Sequence, residues 1–135
     1  MIKKKPSFSY DPDFFDLHEY GYAGIGLSAA NMAFEVAFLM DCDNLLLIGQ
    51  DLAYANDGKS HASNHVYGEN EVIHKDTDSY IPAYGGKGTV KTTEIWRLFL
   101  GYFVNNIADS KEFMITYNCT EGGARIDGSI EIPFA

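Results

Sequence analysis

The chain has 135 residues, of which 46% are hydrophobic, with 9 Phe, 9 Tyr and 1 Trp. That length sets a single-domain expectation with a real core, and the composition excludes an intrinsically disordered chain. The net charge is −9 and no Lys/Arg cluster follows the opening "KKK". A nucleic-acid backbone is therefore not an expected partner, while local phosphate binding through backbone N–H groups and a few placed cations stays open.

"MIKKKPSFSYDPDFF" has a basic start without an apolar stretch, so it does not read as a signal peptide. No segment approaches the ~20 apolar residues of a membrane-spanning helix. Cys42 and Cys119 make no disulfide framework and read as reduced thiols. The expected compartment is the cytoplasm, with no membrane partner. "NCT" at 118–120 matches a glycosylation acceptor, which reads as coincidence without a secretion signal.

"DPDFFDLHEY" suits one or two helical turns started by Asp11 and Pro12. "GYAGIGLS" then leads into a strong helix, "AANMAFEVAFLMD", with Ser28 as its N-cap. Met32, Val36, Leu39 and Met40 share one face, and Phe34 and Phe38 line another. A helix apolar on most sides is expected to be buried on most sides, unless it has lost a partner. "DCDN" closes it, and "LLLIG" follows as a continuous apolar run. Such runs suit parallel strands covered on both faces.

From Gln50 to about Thr92 the chain is polar, too long a stretch for one structureless loop. A hairpin is expected near "DSYIPAYGGKGTVKT", with "GGKG" as its turn. "TTEIWRLFLGYFVNNIAD" is the second helix, capped by Thr92 or Thr93, with Trp96, Leu100, Phe103 and Ile107 in one apolar row. "EFMITY" is a further strand, and "NCTEGGARIDGSIEIPFA" ends the chain as a loop with a short strand. The order predicts an α/β fold: part of a Rossmann-like, mostly parallel sheet with flanking helices and an inserted β-hairpin. Residues 1–135 read as one domain, and its small sheet as the later half of a larger fold.

In open α/β sheets, ligands bind at the carboxyl ends of strands. Both clear strands end in polar, glycine-containing segments, "GQDLAY" with "NDGKSHASNH", and "NCTEGGAR". Parallel neighbours would bring these to one rim. Asp51 lies two residues past the first strand. It either meets a ligand hydroxyl, base or metal, or ties the loop to backbone N–H groups. Tyr54 either donates a hydrogen bond to a phosphate or is a packed rim aromatic. Asp57-Gly58 is first a turn. Lys59 and Ser60 have phosphate-binding chemistry, but their spacing is not that of a P-loop.

His61 and His65 suit proton transfer near neutrality better than zinc, since no third ligand or HExxH motif accompanies them. Gly122 and Gly123 allow backbone N–H groups close to a ligand. Arg125 has the fork for a phosphate or carboxylate, or forms a surface pair with Glu121. Ser28 and the N–H groups after it make a helix-start anion site.

"GLSAANMAFEVAFLMDCDNLLLIGQDLAYANDGKSHAS", "GGKGTVKTTEIWRLFLGYF" and "NCTEGGARIDGSIEIP" together resemble the motility accessory factor family of flagellin-modifying proteins, over about residues 21–132. The resemblance implies cytoplasmic transfer of a nonulosonic acid, of the pseudaminic or legionaminic type, from a CMP-activated donor to flagellin Ser/Thr. The same region is similar to bacterial sialyltransferases with one Rossmann-like domain. There a Ser at the start of the matching helix contacts the donor, tyrosines after the strand contact its phosphate, and a later His is the base. Ser28 matches the donor contact, Tyr54 falls one position beyond the tyrosine, and His61 or His65 would be the base.

A third relative is the archaeal 6-hydroxymethylpterin diphosphokinase, which uses ATP and magnesium. The family also carries an earlier strand ending in a "GxGPS"-like loop. "KKKPSFSY" offers only Pro6-Ser7, so the resemblance covers the C-terminal part of the family domain.

Residues and resemblance together give a catalytic set of Asp51, His61 and His65. The donor-binding set is Ser28, Asn31, Gly49, Gln50, Tyr54, Asp57, Lys59, Ser60, Thr120, Glu121, Gly122, Gly123 and Arg125. No metal ligand is assigned. The CMP-sugar is a substrate, so the leading reading needs no cofactor, and the expected partners are a nucleotide sugar and flagellin. The diphosphokinase reading requires magnesium near Asp51 and Glu121. A third reading is a non-catalytic module that binds a protein, or a second copy as a homodimer, through the exposed helix.

Overall fold

The computed structural model describes residues 26–55 and 79–135. Its elements run α1 (Ala29–Leu39), β1 (Asn44–Leu47), β2 (Ser79–Pro82), β3 (Thr89–Thr92), α2 (Glu94–Ser110), β4 (Ile115–Asn118) and β5 (Ile130–Glu131). The fold is α/β. A parallel three-stranded sheet has the order β1-β4-β5, and β2 and β3 form a separate antiparallel hairpin. Among the described residues, no helix is long and apolar enough to cross a membrane.

Both helices start as their sequences dictate. Ser28 and Thr93 are extended N-caps, and their hydroxyls accept from the N–H groups of Asn31 and Trp96. α1 ends in a Schellman motif. Asp41 takes a left-handed conformation (φ 62), its N–H donates to Phe38 O, and the Cys42 N–H reaches back to Ala37 O. The short connection turns the chain directly into β1, so α1 runs back along the strand. The end of α1 that carries Ser28 therefore lies at the carboxyl ends of the strands.

The core joins both helices to one face of the sheet. Phe34, Phe38, Leu47, Phe103, Ile107, Met114 and Ile126 form one buried cluster. Phe34 meets Phe103 edge-to-face at 6.2 Å, and Phe38 meets Phe113 at 6.4 Å. Burying a ring such as Phe34, Phe38 or Phe103 stabilises by about 1.5–3 kcal/mol, while Phe113 stays half exposed. Ile126 belongs to the connection between β4 and β5, which leaves the carboxyl end of β4 and returns beneath the sheet. That path makes β5 parallel to β4 and places "TEGGARI" first on the rim and then in the core.

Burial on α1 selects one of the two expected outcomes, and burial on β1 corrects an expectation. The buried face of α1 carries Asn31, Phe34, Glu35 and Phe38, while Val36 and Met40 are exposed. The helix is apolar nearly all round, so its periodicity does not fix the inward face. The match to α2 fixes it, through the Phe34–Phe103 ring pair and an Asn31 Nδ2–H donated to Phe99 O at 3.2 Å.

Among the described residues, the apolar run that includes β1 is covered on one side only. Leu47 is buried and Leu45 packs against the core, but Leu46, Ile48, Ile115 and Ile130 are exposed. The register places Leu46 beside Tyr117 and Tyr117 beside Ile130, so the outward positions of all three strands form one face. No described element packs on it.

Candidate functional site

β1 and β4 are parallel neighbours, pairing Leu47 with Asn118 at their carboxyl ends. The segments that follow, from Gln50 and from Thr120, meet directly. The Gln50 N–H donates to Thr120 Oγ1 at 3.1 Å, and the Ala124 N–H donates to Asp51 O at 2.7 Å. Gly123 lies flat on Asp51, where an added Cβ would sit 2.3 Å from Asp51 O. The convergence expected from parallel strands is therefore a bonded junction.

The hairpin is the third member of the rim. On one side it holds the segment after β1, with Tyr54 N–H donating to Lys91 O (2.9 Å) and Thr92 Oγ1 donating to Leu52 O (2.7 Å). On the other it holds the segment after β4. Ala83 bridges Ala124, the Tyr84 N–H donates to Gly123 O, and the Arg125 N–H donates to Pro82 O, each of these two at 2.9 Å. The Tyr84 hydroxyl donates to Ile132 O at 3.1 Å. The inserted hairpin thus clamps both loops into one surface. Sequence reasoning placed this hairpin but assigned it no part in the site. Pairing across 40 residues leaves no local signal, so the sequence does not single out Tyr84 and Thr92 as rim residues.

The sequence-derived residues separate into groups. Asp51 is exposed on the rim, and Gln50 is half-buried beside it. Thr120, Gly122 and Gly123 line the same junction, and among the described residues nothing approaches a Cβ placed at Gly122 or at Gly49 (φ 66). Glu121 sits there in a left-handed conformation (φ 62), and its Oε1 accepts the Phe134 N–H at 2.8 Å. Arg125 reaches outward, with Nε 3.5 Å from Asp127.

Ser28 and Asn31 bond to each other. The Ser28 hydroxyl donates to Asn31 Oδ1 at 3.0 Å and accepts the Asn31 N–H at 3.1 Å. Asn31 is fully buried, and its amide joins α1 to α2. Tyr54 is also buried, packed edge-to-face on Trp96 at 5.0 Å with the Lys91 ammonium 6.0 Å from its ring centre. Asp57, Lys59, Ser60, His61 and His65 lie outside the described residues.

Polar atoms without partners gather at the same end of the sheet. Asn118 is fully buried, and its Oδ1 accepts the Thr120 N–H at 3.1 Å. Among the described residues its Nδ2 has no hydrogen-bond partner, nor has Oε1 of Glu131, its register partner on β5. A buried donor and acceptor left open are costly. Tyr84 lies close by. Partial burial raises its phenol above the ordinary range, and the nearby Glu131 and Glu121 carboxylates and Cys119 raise it further. Among the described residues, no three His, Cys, Asp or Glu side chains gather as a metal-binding group. No family model, curated protein or solved structure matches the chain.

Proposed function

We propose that this chain carries the donor-binding rim of a glycosyltransferase of the flagellin-modifying type. Such an enzyme moves a nonulosonic acid from a CMP-sugar to a Ser/Thr hydroxyl. The observation that most supports the reading is the junction of "GQD" with "TEGGAR" at the carboxyl ends of two parallel strands. Open α/β sheets bind nucleotides at that position, and these segments are among those that carry the family resemblance.

In the proposed reaction, the acceptor oxygen attacks the anomeric carbon. The bond from that carbon to the phosphate oxygen breaks, and CMP leaves with the electron pair. The acceptor proton passes to Asp51 or to a histidine of the His61/His65 pair. Arg125 pairs with the phosphate, whose charge grows as the bond breaks.

The test is transfer to flagellin by the protein that carries this chain, read by the mass added to the acceptor. Asp51→Ala and His61→Ala are expected to lower transfer at least a hundredfold while leaving the fold intact. Full transfer in both variants would remove these assignments. Thermal-shift titration separates the nucleotide classes: CMP is expected to raise the melting temperature, and ATP with magnesium to leave it unchanged.

A further inference from the structure

Arg125 is seated on the hairpin turn. Its Nη1 lies over Gly86 so closely that a Cβ added there would sit 2.7 Å away, while Nε lies 3.5 Å from Asp127. The backbones beneath are tied together. Arg125 N–H donates to Pro82 O at 2.9 Å, and Gly86 N–H donates to Ala83 O at 3.0 Å. The two backbones are held in place by the clamp, while the guanidinium, at the end of a half-exposed side chain, is the part free to move. Any side chain at Gly86 must therefore displace the guanidinium.

We infer that Gly86 is a positioning residue, and that the hairpin turn is the seat that aims Arg125 at the phosphate of the nucleotide. The inference rests on the nucleotide-binding reading and adds the group that sets its cation. A guanidinium recognises phosphate through a planar fork, so its orientation decides how many N–H groups reach the oxygens. A small displacement of a positioned group is costly to binding and rate.

The turn supplies its own control. Gly85 and Gly86 both have positive φ, 76 and 70, so alanine strains the backbone at either. Among the described residues, a Cβ at Gly85 meets nothing within 4 Å, whereas one at Gly86 meets Arg125. Backbone strain is common to the two variants, and displacement of the guanidinium belongs to one.

The experiment is calorimetric titration of the 135-residue chain with CMP and with cytidine. Relative to Gly85→Ala, Gly86→Ala is expected to weaken CMP at least tenfold and cytidine less than twofold. In an Arg125→Ala background, adding Gly86→Ala is expected to change CMP affinity less than twofold. Equal CMP affinity in the two glycine variants overturns the inference. So does an equal loss for cytidine, or a loss that persists without Arg125. A wild-type chain that binds no CMP removes the nucleotide reading itself, and the inference with it.

A second measurement covers the case in which Gly86→Ala does not fold. The chain has two arginines, Arg97 and Arg125, so their Nε–H signals are assigned in an NMR spectrum by Arg125→Lys. Without ligand, the Arg125 Nε–H is expected to be motionally restricted compared with that of Arg97, which forms a surface pair with Glu94. Equal mobility of the two overturns the seat.

Discussion

Gly123 rests its α-carbon on the backbone of Asp51, so that an added Cβ would fall 2.3 Å from the carbonyl oxygen and 2.5 Å from the Cα. Both elements that carry the rim are fixed at this contact, because the next N–H, of Ala124, donates to the same carbonyl. Gly123 also has φ 67. Gly123→Ala therefore combines a left-handed alanine with a backbone collision that no rotamer relieves. It is expected to lose about 2–4 kcal/mol in urea unfolding. Gly122→Ala, in open space, is expected to stay within about 0.5 kcal/mol of wild type. Equal midpoints for the two variants would show that the contact does not hold the rim.

Thr92 makes the corresponding tie on the hairpin side. It is fully buried, and its hydroxyl donates to Leu52 O at 2.7 Å. Leu52 itself is held in a left-handed conformation (φ 49), a shape that persists only when its surroundings enforce it. Thr92→Val keeps the volume and removes the donor. The expected cost is about 1–3 kcal/mol, since the carbonyl loses its partner while the packing survives. Faster hydrogen exchange at the Tyr54 amide, which donates to Lys91 O on the same strand, is the local sign. Unchanged exchange and stability would mean that this bond contributes nothing.

How much of this was legible in the sequence depends on whether the cause is local. The helix starts at Ser28 and Thr93 were readable because capping acts over three residues. The hairpin was readable from its glycine turn, and the shared rim from the rule that parallel neighbours end together. The buried face of α1 was not readable, because Phe103 and the Phe99 carbonyl, some 70 residues away, select it. The double role of "TEGGARI" was equally hidden. Gly123 on the rim and Ile126 in the core differ by three positions, and only the return to β5 separates their surroundings.

Tyr84 gives the rim a dependence on alkaline pH. Partial burial comes first among the causes that raise its phenol, followed by Glu131, Glu121 and Cys119. Below pH ~10 the phenol is protonated in both folded and unfolded chains and adds no slope. Above that, the unfolded chain releases the proton first. Stability is therefore lost as pH rises toward the higher folded value. Urea midpoints measured from pH 9 to 11 are expected to fall less steeply in Tyr84→Phe than in wild type. Parallel slopes for the two would remove Tyr84 as the source. The variant also lacks the bond to Ile132 O, so its midpoint at pH 8 is expected to be lower.

The outer face of the sheet carries the last prediction. Leu46, Ile115 and Ile130 on adjoining strands, and Ile48 just past β1, are 45–54% exposed, whereas parallel sheets are ordinarily covered on both faces. An apolar face of this kind attracts dyes and other chains. The 135-residue chain is expected to bind an apolar fluorescent dye and to show a mass that rises with concentration in light scattering. Leu46→Lys combined with Ile130→Glu places a charge on two of the three strands while leaving the buried side untouched. That pair is expected to reduce dye binding severalfold and to hold the mass constant, with stability within about 1 kcal/mol of wild type. Leu47→Lys, one position along and 7% exposed, is expected to unfold the chain, because its charge has no route to water. A double variant that unfolds as Leu47→Lys does would show that the outer face is packed after all. One that binds as much dye as wild type would place the sticky surface elsewhere.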